Sequence, residues 1–283
     1  MSKTKTDKKS TKQRVLMLTE SAAMIAIASV LSVVKIVDMP FGGSVTACSM
    51  LPLLIIGYRY GVSWGLLTSF TYGVIQMFLG LDNLAYATSA WAAIAIIVLD
   101  YFLAFVVLGL SGITRKITKN QTAALSIAAV ATGLLRYVCH VISGCTVWAG
   151  MALPTKDALI YSISYNFAYM LPEIVVLTAG AVLVSGILDF SESDIKRVPV
   201  RKGNSLAATI ISAVGDLSLA VSFVLSVVFV APSMQAEDGT FFPQGIVNAD
   251  FVPVLIALGV GVLLFALSKV ISAVIRKNKA KAQ

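Results

Sequence analysis

The chain has 283 residues, 58% of them hydrophobic and 13% charged. Soluble domains carry about 25% charged residues, so a soluble globular fold is excluded. The net charge of +8 invites a nucleic-acid partner, but the basic residues alternate with apolar blocks in a pattern that reports membrane topology instead.

Residues 1–13 form a Lys-, Ser- and Thr-rich tail expected to stay disordered. Apolar blocks follow at about 15–37, 44–58, 62–79, 91–113, 122–146, 157–188, 205–232 and 252–275. Most approach the ~20 residues that a helix needs to cross a bilayer. The first block is long and has no convincing small-residue cleavage site, so it reads as a membrane helix rather than a signal peptide. Ala22 and Ala26, with Ala23 and Ala28 nearby, give it a strip of small residues that permits close helix approach.

Six Lys or Arg precede the first block, and Arg59 follows the second. Arg115, Lys116 and Lys119 follow the fourth; Lys196, Arg197, Arg201 and Lys202 follow the sixth; Arg276, Lys277, Lys279 and Lys281 close the chain. The alternate loops hold almost none, and 233–250 is acidic. Cytoplasmic loops are the basic ones, which predicts eight spans with both termini cytoplasmic. The polar stretch 189–204 divides a six-helix membrane unit at 14–188 from a two-helix appendix at 205–275, with a tail at 276–283. In the appendix, Asp216 reads as the one charge well inside a span. The expected fold is an all-α polytopic membrane bundle.

No G-x-x-x-x-G-K-[ST] and no G-x-G-x-x-G after a strand occurs. No cofactor is expected, and any ATP-driven step belongs to another subunit. Cys48, Cys139 and Cys145 read as small buried hydrophobes. Zinc is not expected, because His140 is the only histidine and a fourth ligand is missing.

Ionisable groups at membrane depth are costly and mark sites by default. Here they are Glu20, Asp100, Arg136, His140, Glu173 and Asp216. Counting 1.5 Å per residue from the outer helix ends, Asp100 lies about 14 Å deep, His140 about 12 Å and Arg136 about 18 Å. Tyr161, Tyr165 and Asn166 fall in the outer half of the sixth span. Three helices thus bring polar and aromatic groups to one level. Flat π faces and a carboxylate suit a flat, heteroaromatic, cationic ligand.

The pattern R-x3-H-x7-W-x12-Y-x4-N (Arg136, His140, Trp148, Tyr161, Asn166), preceded by Asp100-Tyr101, resembles the thiamine-specific S component of energy-coupling factor (ECF) transporters. ESAAMIAIASVLS and MLPLLIIGYRYG resemble that family's first two helices, and the resemblance covers about 14–188. It implies that Trp148 stacks on the thiazolium ring with His140 beside it. Asp100, where the family has Glu, would bind the aminopyrimidine edge, flanked by Tyr101. Tyr161 and Asn166 would complete the pocket, Arg136 stands where Lys is usual, and Tyr86 would be a further pocket tyrosine. Ala22 and Ala26 would dock against a transmembrane coupling subunit, which works with two ATPase subunits. On this reading the chain captures thiamine or a close analogue at the outer face and catalyses no reaction. The loop at 38–47, with Pro40 and Gly42-Gly43, would be its lid. A second reading is an integral membrane enzyme acting on a lipid or prenyl substrate through Asp100, His140 and Arg136. It lacks the acidic cluster or nucleophile pair such chemistry needs. A self-sufficient proton-coupled carrier would show repeats, and none is visible.

Overall fold

The computed structural model describes residues 11–39, 42–148, 153, 155–192, 194–198, 205–234 and 243–281. Most of the expected tail at 1–13 lies outside them, as do Pro40 of the lid loop and Arg201 and Lys202 of the linker. In chain order the elements are α1 (Thr11–Val33), β1 (Lys35–Asp38), β2 (Ser44–Thr46), α2 (Leu51–Tyr60), α3 (Val62–Leu79) and α4 (Ala90–Ile117). Then come α5 (Gln121–Thr146), α6 (Lys156–Ile187), β3 (Leu188–Asp189), β4 (Lys196–Arg197), α7 (Leu206–Val230) and α8 (Phe251–Lys281). Among the described residues, seven helices are long and apolar enough to cross a membrane: α1 and α3 to α8. The protein is an all-α, multi-pass membrane bundle.

The apolar block at 44–58 is not a membrane-length helix, which corrects the sequence expectation. Its first residues form β2, which pairs antiparallel with β1, Val37 opposite Val45 and Asp38 opposite Ser44. Cys48 then takes φ 61, a left-handed conformation that stops any helix there. Only from Leu51 does α2 run, with Pro52 in its first turn, until Gly61 at φ 89 ends it. Ten residues reach about 15 Å, half of a ~30 Å hydrocarbon core.

The hairpin supplies the other half of that path. Thr46 meets Glu173 of α6, a position about 26 Å along α6 from Lys156 at 1.5 Å per residue. At the far end of α2, Arg59 makes two hydrogen bonds to Glu20 of α1, at 2.9 and 3.0 Å, and donates to the Phe190 and Glu192 carbonyls. Tyr60 adds a third bond to Glu20. Four acceptor oxygens, two on α1 and two on the segment after α6, thus compensate the buried guanidinium, as a buried charge requires. Glu20 is therefore a structural partner.

The core sits where α2 passes between the other helices. Every α2 residue from Leu51 to Arg59 is buried, and Met50, Leu53 and Leu54 are fully so. α3 and α4 approach backbone to backbone: a Cβ on Gly65 would lie 2.7 Å from the Gly109 carbonyl. Small residues allow such crossings. Gln121 opens α5 and closes α6, donating to Ser185 and Leu188 carbonyls and accepting from Phe190 N–H.

In the appendix, α7 and α8 are antiparallel. Ser272 donates to the Ala208 carbonyl at 2.7 Å, so α8 runs back past the level where α7 begins. Asp216 is not alone: Lys269 of α8 reaches both its oxygens at 2.7 and 2.9 Å and also donates to Ser212. This corrects the reading of Asp216 as the appendix's one internal charge. α7 packs on α6, with Gly186 against Thr209. Ala22 and Ala26 on α1 stay exposed.

Candidate functional site

A cavity of about 440 Å³ opens between the hairpin and helices α3 to α6. Its walls include Asp100 and Tyr101 of α4, Arg136 and His140 of α5, Trp148 just beyond α5, and Asn166, Tyr169 and Glu173 of α6. The hairpin roofs it with Gly42, Gly43, Ser44 and Thr46.

Asp100 is at the centre of a polar cluster. It sits in a π-helical stretch of α4, Ile97–Leu103, of the kind that often marks functional sites because the extra residue redirects one side chain. His140 Nδ1 lies 2.8 Å from Asp100 Oδ1, Ser143 Oγ donates to Oδ2 at 2.6 Å, and Trp148 Nε1 donates to Oδ2 at 3.2 Å. His140 and Ser143 come from α5 and Trp148 from the chain just beyond it, so the carboxylate fixes the α4–α5 register and the indole's position together. Tyr101, next on the same turn, donates to the Gly80 carbonyl and accepts from Asn83. Tyr86 stands against Trp148 with ring centroids 5.8 Å apart and planes tilted by 38°.

Arg136 pairs with no carboxylate among the described residues. Its guanidinium lies 4.3 Å over the Phe105 ring, and Nη1 approaches Met50 Sδ at 2.9 Å. Among the described residues neither its buried Nε nor His140 Nε2 has a hydrogen-bond partner. One turn separates Arg136 from His140 on α5, and both face the same space.

On α6, Asn166 donates to the Ser162 and His140 carbonyls and accepts from Tyr169 Oη at 2.7 Å. Tyr161 does not wall the cavity. It stacks on Tyr165 at 6.1 Å with nearly parallel planes, and Tyr165 in turn accepts from Gly43 N–H of the hairpin. Glu173, buried, takes both the N–H and the hydroxyl of Thr46 at 2.6 and 2.7 Å.

The structure therefore gathers Asp100, Tyr101, Arg136, His140, Trp148 and Asn166 on one cavity, places Tyr86 at its edge and sets Tyr161 behind Tyr165. Sequence reasoning missed Thr46, Ser49, Tyr72, Gln76, Asn83 and Tyr169, which also line it. Tyr169 extends the i, i+4 ladder of Tyr161 and Tyr165, and that period was available to read. Thr46 lies within the expected lid loop at 38–47, but nothing in the sequence singled it out there.

A sequence model of the thiamine transporter protein family matches residues 18–191. The thiamine transporter ThiT of Bacillus subtilis (strain 168) is 34% identical over 175 residues, which is 58% of this chain and 87% of that protein. The family match runs from within α1 to the end of α6 and includes every wall of the cavity, while α7 and α8 lie beyond it. A multi-pass bundle with this polar cavity, matched over these residues, belongs to the thiamine transporter protein family.

Proposed function

We propose that the chain is the substrate-capture subunit of an ECF-type importer and binds thiamine in the cavity beneath the β1–β2 hairpin. The observation that carries this is Asp100, a carboxylate held by His140, Ser143 and Trp148 inside a cavity walled by aromatic rings. Trp148 supplies a π face whose edge is already anchored, so stacking a cationic thiazolium costs little further ordering. Asp100 accepts hydrogen bonds from the aminopyrimidine, and the unpartnered His140 Nε2 and Arg136 Nε meet the ligand's polar groups. Tyr101, Asn166 and Tyr86 shape the walls, and Tyr161 acts through Tyr165 rather than by touching the ligand.

Transport on this reading needs a transmembrane coupling subunit and two ATPase subunits, which meet the exposed Ala22 and Ala26 strip of α1. The appendix packs on α6 and leaves that strip open. On this reading both termini are cytoplasmic, which is supported by α1 beginning, and α6 and α8 ending, towards the basic Arg59 side. Isothermal titration of the purified chain alone with thiamine tests the reading. Saturable 1:1 binding without any other subunit is expected, and no heat at any accessible concentration would overturn it.

A further inference from the structure

The hairpin that roofs the cavity is held from two directions. From within, Tyr165 Oη accepts from Gly43 N–H at 3.1 Å and Glu173 takes Thr46. Gly43 lies so close to α6 that a Cβ there would fall 2.7 Å from Tyr165 Oη and 2.8 Å from Tyr169 Cδ1. From outside, the hairpin's buried Met39 and Val45 join one contiguous apolar cluster with Tyr165 and Tyr169. The same cluster contains Val224 and Val230 of α7, Met234 just beyond it, and Val254 of α8.

The cluster takes only one end of the appendix. Lower on α7 the buried positions are small, Ala208, Ala213, Gly215 and Ala220. Larger side chains appear at Val224, Val230 and Met234, at the level of the hairpin and not before. α7 and α8 lie outside the residues matched to the family, so this packing is an addition to the six-helix unit.

We propose that the α7–α8 appendix is a strut for the lid. By packing on the Tyr165–Tyr169 face that seats the hairpin, it stabilises the closed hairpin over the cavity and slows ligand exchange. The part concerning ligand rests on the function proposed above; the part concerning the hairpin does not.

Hydrogen exchange read by mass spectrometry on the full-length, ligand-free chain tests the hairpin directly. In Val230→Ala/Met234→Ala, exchange across 42–47 should quicken about tenfold, the factor given by about 1.4 kcal/mol of lost closure. Exchange in α2 should stay unchanged. Met39→Ala should produce a similar gain, and combining it with the appendix pair should add little, because both loosen the same apolar cluster. If the double variant does not fold, Met234→Ala alone carries the comparison. Unchanged exchange at 42–47 in the appendix and Met39 variants would overturn the strut. Stopped-flow release of thiamine should also quicken about tenfold in the appendix variant. Faster hairpin exchange with unaltered release, in a chain that binds thiamine, overturns the link to ligand. Faster hairpin exchange in a chain that binds no thiamine leaves the strut standing and refutes only the proposed ligand.

Discussion

At Asp100, a change to Asn keeps the shape but removes the charge and one acceptor oxygen. Three donors converge there, from His140, Ser143 and Trp148, so Asn places an N–H against at least one of them. Leaving a buried donor without a partner costs roughly 1–3 kcal/mol. Trp148→Ala removes both the stacking face and its anchor. Cation–π attraction in a desolvated site is worth about 2 kcal/mol, so thiamine affinity should fall roughly thirtyfold at 1.4 kcal/mol per tenfold. Thr46→Val tests a different joint. It strips the hydroxyl bond to Glu173 and should lower the melting temperature of the ligand-free protein, read by the fluorescence of a thiol-reactive dye. An unchanged melting temperature would mean that the hairpin is not tied to α6 there. Glu173 itself was legible as a costly carboxylate at membrane depth. Its partner was not, because 127 residues separate it from Thr46 and nothing local in the sequence links the two.

Among the elements, the apolar blocks of the sequence located the long helices and misread one short one. The run at 44–58 is as apolar as its neighbours, and hydropathy does not distinguish a buried ten-residue helix plus a strand from a span. Cys48 at positive φ breaks the run, and cysteine carries no turn signal of the kind glycine gives. Depth counting along α4 and α5 did bring Asp100, His140 and Arg136 to similar depths. Their facing one cavity depends further on the π turn at Ile97–Leu103, which no spacing rule revealed. Lys269 escaped notice because it lies near the basic end of α8, where cations are ordinary. Its pair with Asp216 gives a test of the appendix. Removing one partner leaves the other charge partly buried and uncompensated. Asp216→Ala should therefore lower the melting temperature, and Asp216→Ala/Lys269→Met should recover much of it. Equal losses in both would show that the pair does not hold α7 to α8. On α1, Ala22→Trp or Ala26→Trp should leave thiamine affinity intact and abolish uptake in cells with the coupling machinery. Uptake at wild-type rate would remove that strip as the docking surface.

Seen as a whole, the molecule has two differently built ends. One carries the hairpin, the cavity mouth and the apolar cluster shared with α7 and α8; the other carries Glu20, Arg59, Arg115, the Lys196–Arg197 strand after α6 and the basic last turns of α8. That polarity predicts a single orientation in the membrane. A cysteine at Val247, 82% exposed, should react with an impermeant thiol reagent added outside cells, in a background lacking the native cysteines. Labelling only after the cytoplasm is opened would invert the topology. The central claim is that one cavity, centred on Asp100 and Trp148, captures thiamine. Its most direct test is the thiamine dissociation constant of purified wild type, Trp148→Ala and Asp100→Asn, measured side by side on folded protein. The account predicts a loss of roughly thirtyfold in Trp148→Ala and a clear weakening in Asp100→Asn. Near-wild-type affinity in both variants would contradict it.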